Sequence, residues 1–97
     1  MGVKILWAPE AIQDRTHIWD YLYTLNPRAA REMDERFSEC VEHLVHNPLL
    51  GNIGLIEGTR ELIPHPSYRL VYQVAQDSIQ ILALLHTARQ WPPLPSI

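Results

Sequence analysis

Residues 67–86 read SYRLVYQVAQDSIQILALLH. Within them Tyr68, Leu70, Tyr72 and Val74 alternate with Arg69, Val71 and Gln73, the period of two that a strand with one buried face requires. AQDS (75–78) is a polar turn, and IQILALLH (79–86) is apolar on both faces and reads as a central strand. The pair therefore predicts an antiparallel hairpin. With Tyr68, Leu70 and Tyr72 packed under a covering layer, Arg69 is expected on the opposite face of the sheet.

Upstream, RELI (60–63) predicts a brief strand and PHP (64–66) a break, so the last three strands form a meander. PLLGNIGLIEGT (48–59) holds three of the four glycines; no strand feeds its G-x-x-G spacing and no helix follows, so it reads as an ordinary loop. The covering layer comes from the first half. VKILW (3–7) is short and β-prone. Pro9 then suits a first helical turn, and Ala11, Ile18, Leu22 and Leu25 recur at helical spacing with Arg15 interrupting them, which predicts a helix over about 9–25. Asn26-Pro27 restarts the helix: asparagine caps and proline fits the first position. Ala30, Met33, Phe37, Val41 and Leu44 form its apolar stripe, and Asn47-Pro48 ends it. The order β-α-α-β-β-β predicts one α+β domain over 1–97, with a helical hairpin on one face of a small antiparallel sheet.

Composition narrows the function. Ninety-seven residues hold one core. No apolar run approaches the ~20 residues of a membrane span, the N-terminus lacks a signal peptide's basic and apolar regions, and Cys40 has no partner for a disulfide. A cytoplasmic protein without a membrane partner is expected. Lys4 is the single lysine, and the net charge is −3. The excess acid lies in residues 1–46, with eight acidic and five basic side chains, whereas residues 47–97 carry three of each. Binding nucleic acid by backbone neutralisation favours a clear basic excess, which this chain lacks.

The basic residues of the second half are expected to gather. Arg60, His65, Arg69, His86 and Arg89 head toward one open sheet face and its rim, with Trp91 beside them, folding its indole back onto the sheet. Arginine on such a face is usually solvated, or paired with a neighbour such as Glu61, rather than functional. His43 and His46 stand one helical turn apart but lack the further ligands that zinc requires, so neither a metal nor a cofactor is expected. Cys40, at the edge of the second helix's stripe, reads as a small core residue.

PEAIQDRTHIWDYL, NPRAA, HNPLLG, RELIPHPSYRLVYQV and IQILALLHTARQWP together resemble the RelE/ParE superfamily of bacterial toxins, over nearly the whole chain from Trp7 to Pro92. The most specific parts are SYRLVYQV and ILALLHTARQWP; Arg15 departs from the aliphatic residue usual there. The resemblance implies a small antiparallel sheet with an N-terminal helical hairpin, and a toxin of a type II toxin–antitoxin pair, engaged in plasmid stabilisation or stress response. It also implies a cognate antitoxin that folds along the toxin in a hetero-oligomer. The superfamily divides by target: RelE-like members are mRNA interferases that cut messenger RNA on the ribosome, and ParE-like members poison DNA gyrase without being nucleases.

Cleavage through a 2′-hydroxyl needs a base, an acid and cations around the phosphorane. On a RelE-like reading, Arg69, Arg89, His86 and His65 carry it. The lysines that such enzymes use before YRLVY, and the tyrosine after the last arginine, have no counterpart here. The negative charge and Trp91-Pro92 favour a ParE-like gyrase inhibitor, with no catalytic residues and with Arg60, His65, Arg69, His86, Arg89 and Trp91 meeting partners. A non-toxic module that binds peptides by strand addition is a further alternative.

Overall fold

Asn26 alone separates two helices. Its backbone N–H donates to the Leu22 carbonyl and closes α1 (Pro9–Leu25), while its side-chain oxygen accepts from the Arg28 amide at 3.0 Å and opens α2 (Pro27–His46). The computed structural model describes residues 3–92. Around the hairpin run five strands: β1 (Lys4–Trp7), β2 (Asn52–Ile53), β3 (Arg60–His65), β4 (Tyr68–Val74) and β5 (Ser78–His86).

They form one sheet in the order β1-β5-β4-β3-β2. β3, β4 and β5 make the expected antiparallel meander. β1 instead lies parallel to β5, from Lys4 opposite Ser78 to Trp7 opposite Ile81, so the sheet is mixed rather than wholly antiparallel. The α+β class and the helical hairpin on one face stand as expected. Two local differences have simple causes. β3 continues through Pro64 to His65, because proline falls at an irregularity between Leu62 and His65 where a ladder bond is already lost. The glycine-rich loop contributes the two-residue β2, returned to β3 by a turn in which Gly58 adopts φ 84°.

The core lies between the helices and one sheet face. Ala11, Phe37, Val41 and Leu44 pack on Tyr68, Leu70, Tyr72, Ile79, Ile81 and Leu84. The stripe read for α2 is the buried one, with Met33 at its margin. α1 is buried less than its pattern suggests: Ala11 is fully covered, Ile18 partly, and Leu25 is exposed. Arg15 explains the break in that stripe. Its guanidinium bonds the Asp34 carboxylate at 2.7 Å and Ser38 Oγ at 2.8 Å, and lies 5.0 Å from the Trp7 ring centroid, tying α1 to α2. A smaller cluster (Val71, Ala83 and Leu85, with Leu82 and Trp91) occupies the opposite sheet face.

Candidate functional site

One extra residue in β5 decides where the basic side chains go. From Val74 to Tyr72, β4 pairs with Ile79 to Ile81; from Val71 onward it pairs with Ala83 to His86, so Leu82 is a bulge. An unbroken ladder would set His86 on the Arg69 face. The bulge turns it over: His86 stands opposite Tyr68, on the helix side, whereas Arg69 stands opposite Leu85 on the far side. Arg60 and His65 oppose Tyr72 and Tyr68 and so also belong to the helix side. The expected single open face carrying all five residues is therefore not formed.

Arg69 is half-buried, not free. Its side chain is 23% exposed, and Nε lies 3.4 Å from Oε1 of Glu61, itself 14% exposed. The N–H is not aligned as a hydrogen bond, so the contact is an ion pair. The other oxygen of Glu61 accepts from the Leu55 amide at 3.1 Å, so one carboxylate holds both the arginine and the loop. Trp91 packs on the Val71–Ala83–Leu85 cluster of this same face, the fold-back read for it from sequence. Arg60 sits four β4 positions away from the histidines, at the other end of the sheet, where its guanidinium donates to the Gly51 carbonyl at 2.7 Å and clamps the loop.

His65, His86 and Arg89 do come together. They rim a groove of about 620 Å³ between α1 and the ends of β3–β5, walled by Ile18, Leu22, Met33, Tyr68 and Leu84. Tyr68 separates the imidazoles, at 6.3 Å from His65 and 5.5 Å from His86 between ring centroids. Burial pushes its phenol above the usual range, with Tyr21 adding to the shift, so it stays protonated. Each histidine accepts a backbone N–H on Nδ1: from Ser67 at 3.0 Å for His65, and from Ala88 at 3.1 Å for His86. That assigns the neutral ring's proton to Nε2. Both rings thus offer a donor rather than a lone pair.

α1 supplies residues that the sequence did not single out. Asp14, His17 and Tyr21 line the same groove, and Asp14 accepts from the Leu84 amide at 3.0 Å. The one signal for them was helical spacing: 14, 17 and 21 share a face, but nothing local says that this face meets β5.

A second hollow, lined by Trp7, Ile12, Thr16 and Trp19, also includes the Arg15–Asp34 ion pair in its lining. Among the described residues, no three His, Cys, Asp or Glu side chains converge as metal ligands. His43 and His46 are exposed, with His46 near Glu42 at 3.6 Å. Cys40 is half-buried, and desolvation pushes its thiol up to about 11, away from nucleophilic character.

The chain is similar to known proteins over most of its length. A model of the ParE toxin of the type II toxin–antitoxin system parDE matches residues 5–91. Toxin RelE2 of Caulobacter vibrioides is 31% identical over 86 residues, covering 89% of this chain and 97% of that protein. The chromosomal ParDE system of P. aeruginosa superposes with a TM-score of 0.76 at 25% identity, over 87% of this chain and 95% of its own. The YoeB dimer of Staphylococcus aureus shares the fold, with a TM-score of 0.62 at 20% identity over 87% of this chain and 95% of its own.

Proposed function

The chain belongs to the ParE toxin family of type II toxin–antitoxin systems, within the RelE/ParE superfamily, and on that premise we propose that it poisons DNA gyrase and is neutralised by a cognate antitoxin. The observation that carries this reading is the separation of Arg69 from the other cleavage groups. Arg69, the cation of YRLVY, is occupied by Glu61 on the far sheet face, and Arg89 rims the groove on the helix side. His65 and His86 each hold a backbone amide on Nδ1, which leaves the ring proton on Nε2. A ring so arranged has no free lone pair, and acting as a base would require it to drop that contact. The net charge of −3 supports the same reading, since a ribosomal RNA site attracts basic proteins. The antitoxin partner is supported by the ParDE system of P. aeruginosa, which this chain resembles.

RNA cleavage on the ribosome is the second reading. It is favoured by the similarity to Toxin RelE2 and by the place of Arg69 in YRLVY. One pair of assays separates them: supercoiling by purified gyrase, and cleavage of messenger RNA on programmed ribosomes. Loss of supercoiling with accumulation of cleaved DNA, and intact messenger, is expected. Cut transcripts with gyrase unaffected would reverse the assignment.

A further inference from the structure

The loop between α2 and β3 carries an apolar patch that lies open to solvent. Residues 48–56 read PLLGNIGLI, with no charged side chain among them. Ile53 is 82% exposed, Leu55 69% and Leu49 61%, and Leu50 and Ile56 are exposed as well. The segment is not slack enough to turn these side chains inward. Tyr72 Oη bridges the Gly51 amide and the Pro48 carbonyl, and the Arg60 guanidinium donates to the Gly51 carbonyl. Beyond β2, Glu61 accepts from the Leu55 amide and Thr59 Oγ1 donates to the Ile56 carbonyl at 2.6 Å. With its backbone held on both sides of β2, the loop presents its aliphatic side chains in a fixed arrangement, which lowers the ordering cost of any contact they make.

β2 is also an open edge. It is the last strand of the sheet, beyond β3. The Gly54 amide donates to the Thr59 carbonyl at 2.8 Å, and this bond sets the alternation of the β2–β3 ladder. Asn52 therefore turns its main-chain groups toward β3, and Ile53 turns its amide and carbonyl away from it. Val74 shares a shallow hollow with Ile53 and Arg60, so the patch continues from the loop onto the end of β4.

Size, charge and symmetry select the occupant. The exposed aliphatic residues of the loop, with Val74, leave about 600 Å² of surface, the upper end of what a monomer shows in one patch. Doubled across a two-fold axis this is roughly 1,200 Å², the lower end of a specific protein interface. An uncharged patch meets its own copy without like-charge repulsion. It offers no free cation to a phosphodiester backbone, because the nearby Arg60 is engaged by the loop carbonyl. A two-fold axis at Ile53 pairs that residue with itself through its outward amide and carbonyl, and so joins the two sheets.

We propose that two copies of this chain associate through the 49–56 loop, β2 of each pairing antiparallel at Ile53 while the aliphatic side chains of the two loops pack together. The proposal is independent of the target on which the toxin acts.

The test is sedimentation velocity of the full chain over about a hundredfold range of concentration, since the population of a dimer follows mass action. A shift from monomer to dimer with a dissociation constant of roughly micromolar order is expected. Ile53→Asp sets a carboxylate at the centre of the patch and should weaken association about tenfold or more. Leu25→Asp, at the exposed end of α1, should leave it unchanged. Amide exchange at Ile53 should slow about tenfold or more from the dilute to the concentrated sample. The melting temperature of dilute Ile53→Asp checks its fold, and Leu55→Asp on the same patch takes its place if that fold is lost. A chain that stays monomeric at every concentration overturns the proposal. So does a dimer that survives Ile53→Asp and is broken by Leu6→Asp, because the contact is then the open edge of β1. A monomer whose toxicity is abolished by Ile53→Asp also overturns it, the patch then meeting a different protein.

Discussion

Gly51 is where the loop after α2 touches the core. Its amide donates to Tyr72 Oη at 2.8 Å, and that hydroxyl donates onward to the Pro48 carbonyl at 2.8 Å. A Cβ at Gly51 would lie 2.8 Å from the Glu61 carbonyl oxygen and from the Tyr72 ring, neither of which can swing away. Gly51→Ala is therefore expected to destabilise by about 2 kcal/mol or more, read by urea denaturation. Tyr72→Phe keeps the packing but orphans two backbone groups, a loss of about 1–3 kcal/mol in the same measurement. Arg69→Ala belongs with these. It strips Glu61, only 14% exposed, of its cation and should cost about 1–3 kcal/mol, contrary to the free outward guanidinium that strand alternation alone suggests. Arg89→Ala removes an exposed side chain and should stay within about 0.5 kcal/mol of wild type.

Both helices and strands β1, β4 and β5 were legible, whereas β2 and the last residues of β3 were not, and the juxtaposition of the elements was only partly so. The alternation of Tyr68 to Val74 and the Asn26-Pro27 restart are local signals. The restart is realised, and the alternation holds for Tyr68, Leu70 and Tyr72, while Val74 is exposed and Val71 is buried on the opposite face. The bulge at Leu82 was not readable, because IQILALLH is apolar at nearly every position and its pattern cannot mark an extra residue. That one residue set His86 apart from Arg69 and divided the expected site. The parallel β1–β5 pairing and the Asp14–Leu84 contact join residues that are distant in sequence, which local periodicity does not encode. A deletion tests the account of β5. Removing Leu82 leaves Ala83 to His86 on their present faces, so the fold should persist with a loss of about 1–2 kcal/mol from packing. Inserting a second residue beside Leu82 would turn Leu84 and His86 over, and a collapse of the amide spectrum is expected.

At the scale of the whole molecule, the titratable groups set an alkaline limit. Burial raises Cys40 from 9.0 to about 11, and lifts Tyr68 and Tyr72 above 10.0, although the Gly51 amide and Arg60 partly offset the shift at Tyr72. All three bind their protons more tightly folded than unfolded, so stability is whole below pH 9 and falls as pH climbs through the folded values. Melting temperatures from pH 8 to 11 should decline across that window, and Cys40→Ala should blunt the early part of the fall. Labelling of Cys40 by a thiol reagent should be slow at pH 8 for the same reason.

The single-residue joint at Asn26 bears on how any complex forms. With its amide and side chain both engaged and no slack on either side, α1 cannot swing relative to α2 without unwinding a turn. The groove that α1 walls is then a fixed mould, present before a visitor arrives. Any change of shape on binding there would fall to the bound molecule rather than to these two helices.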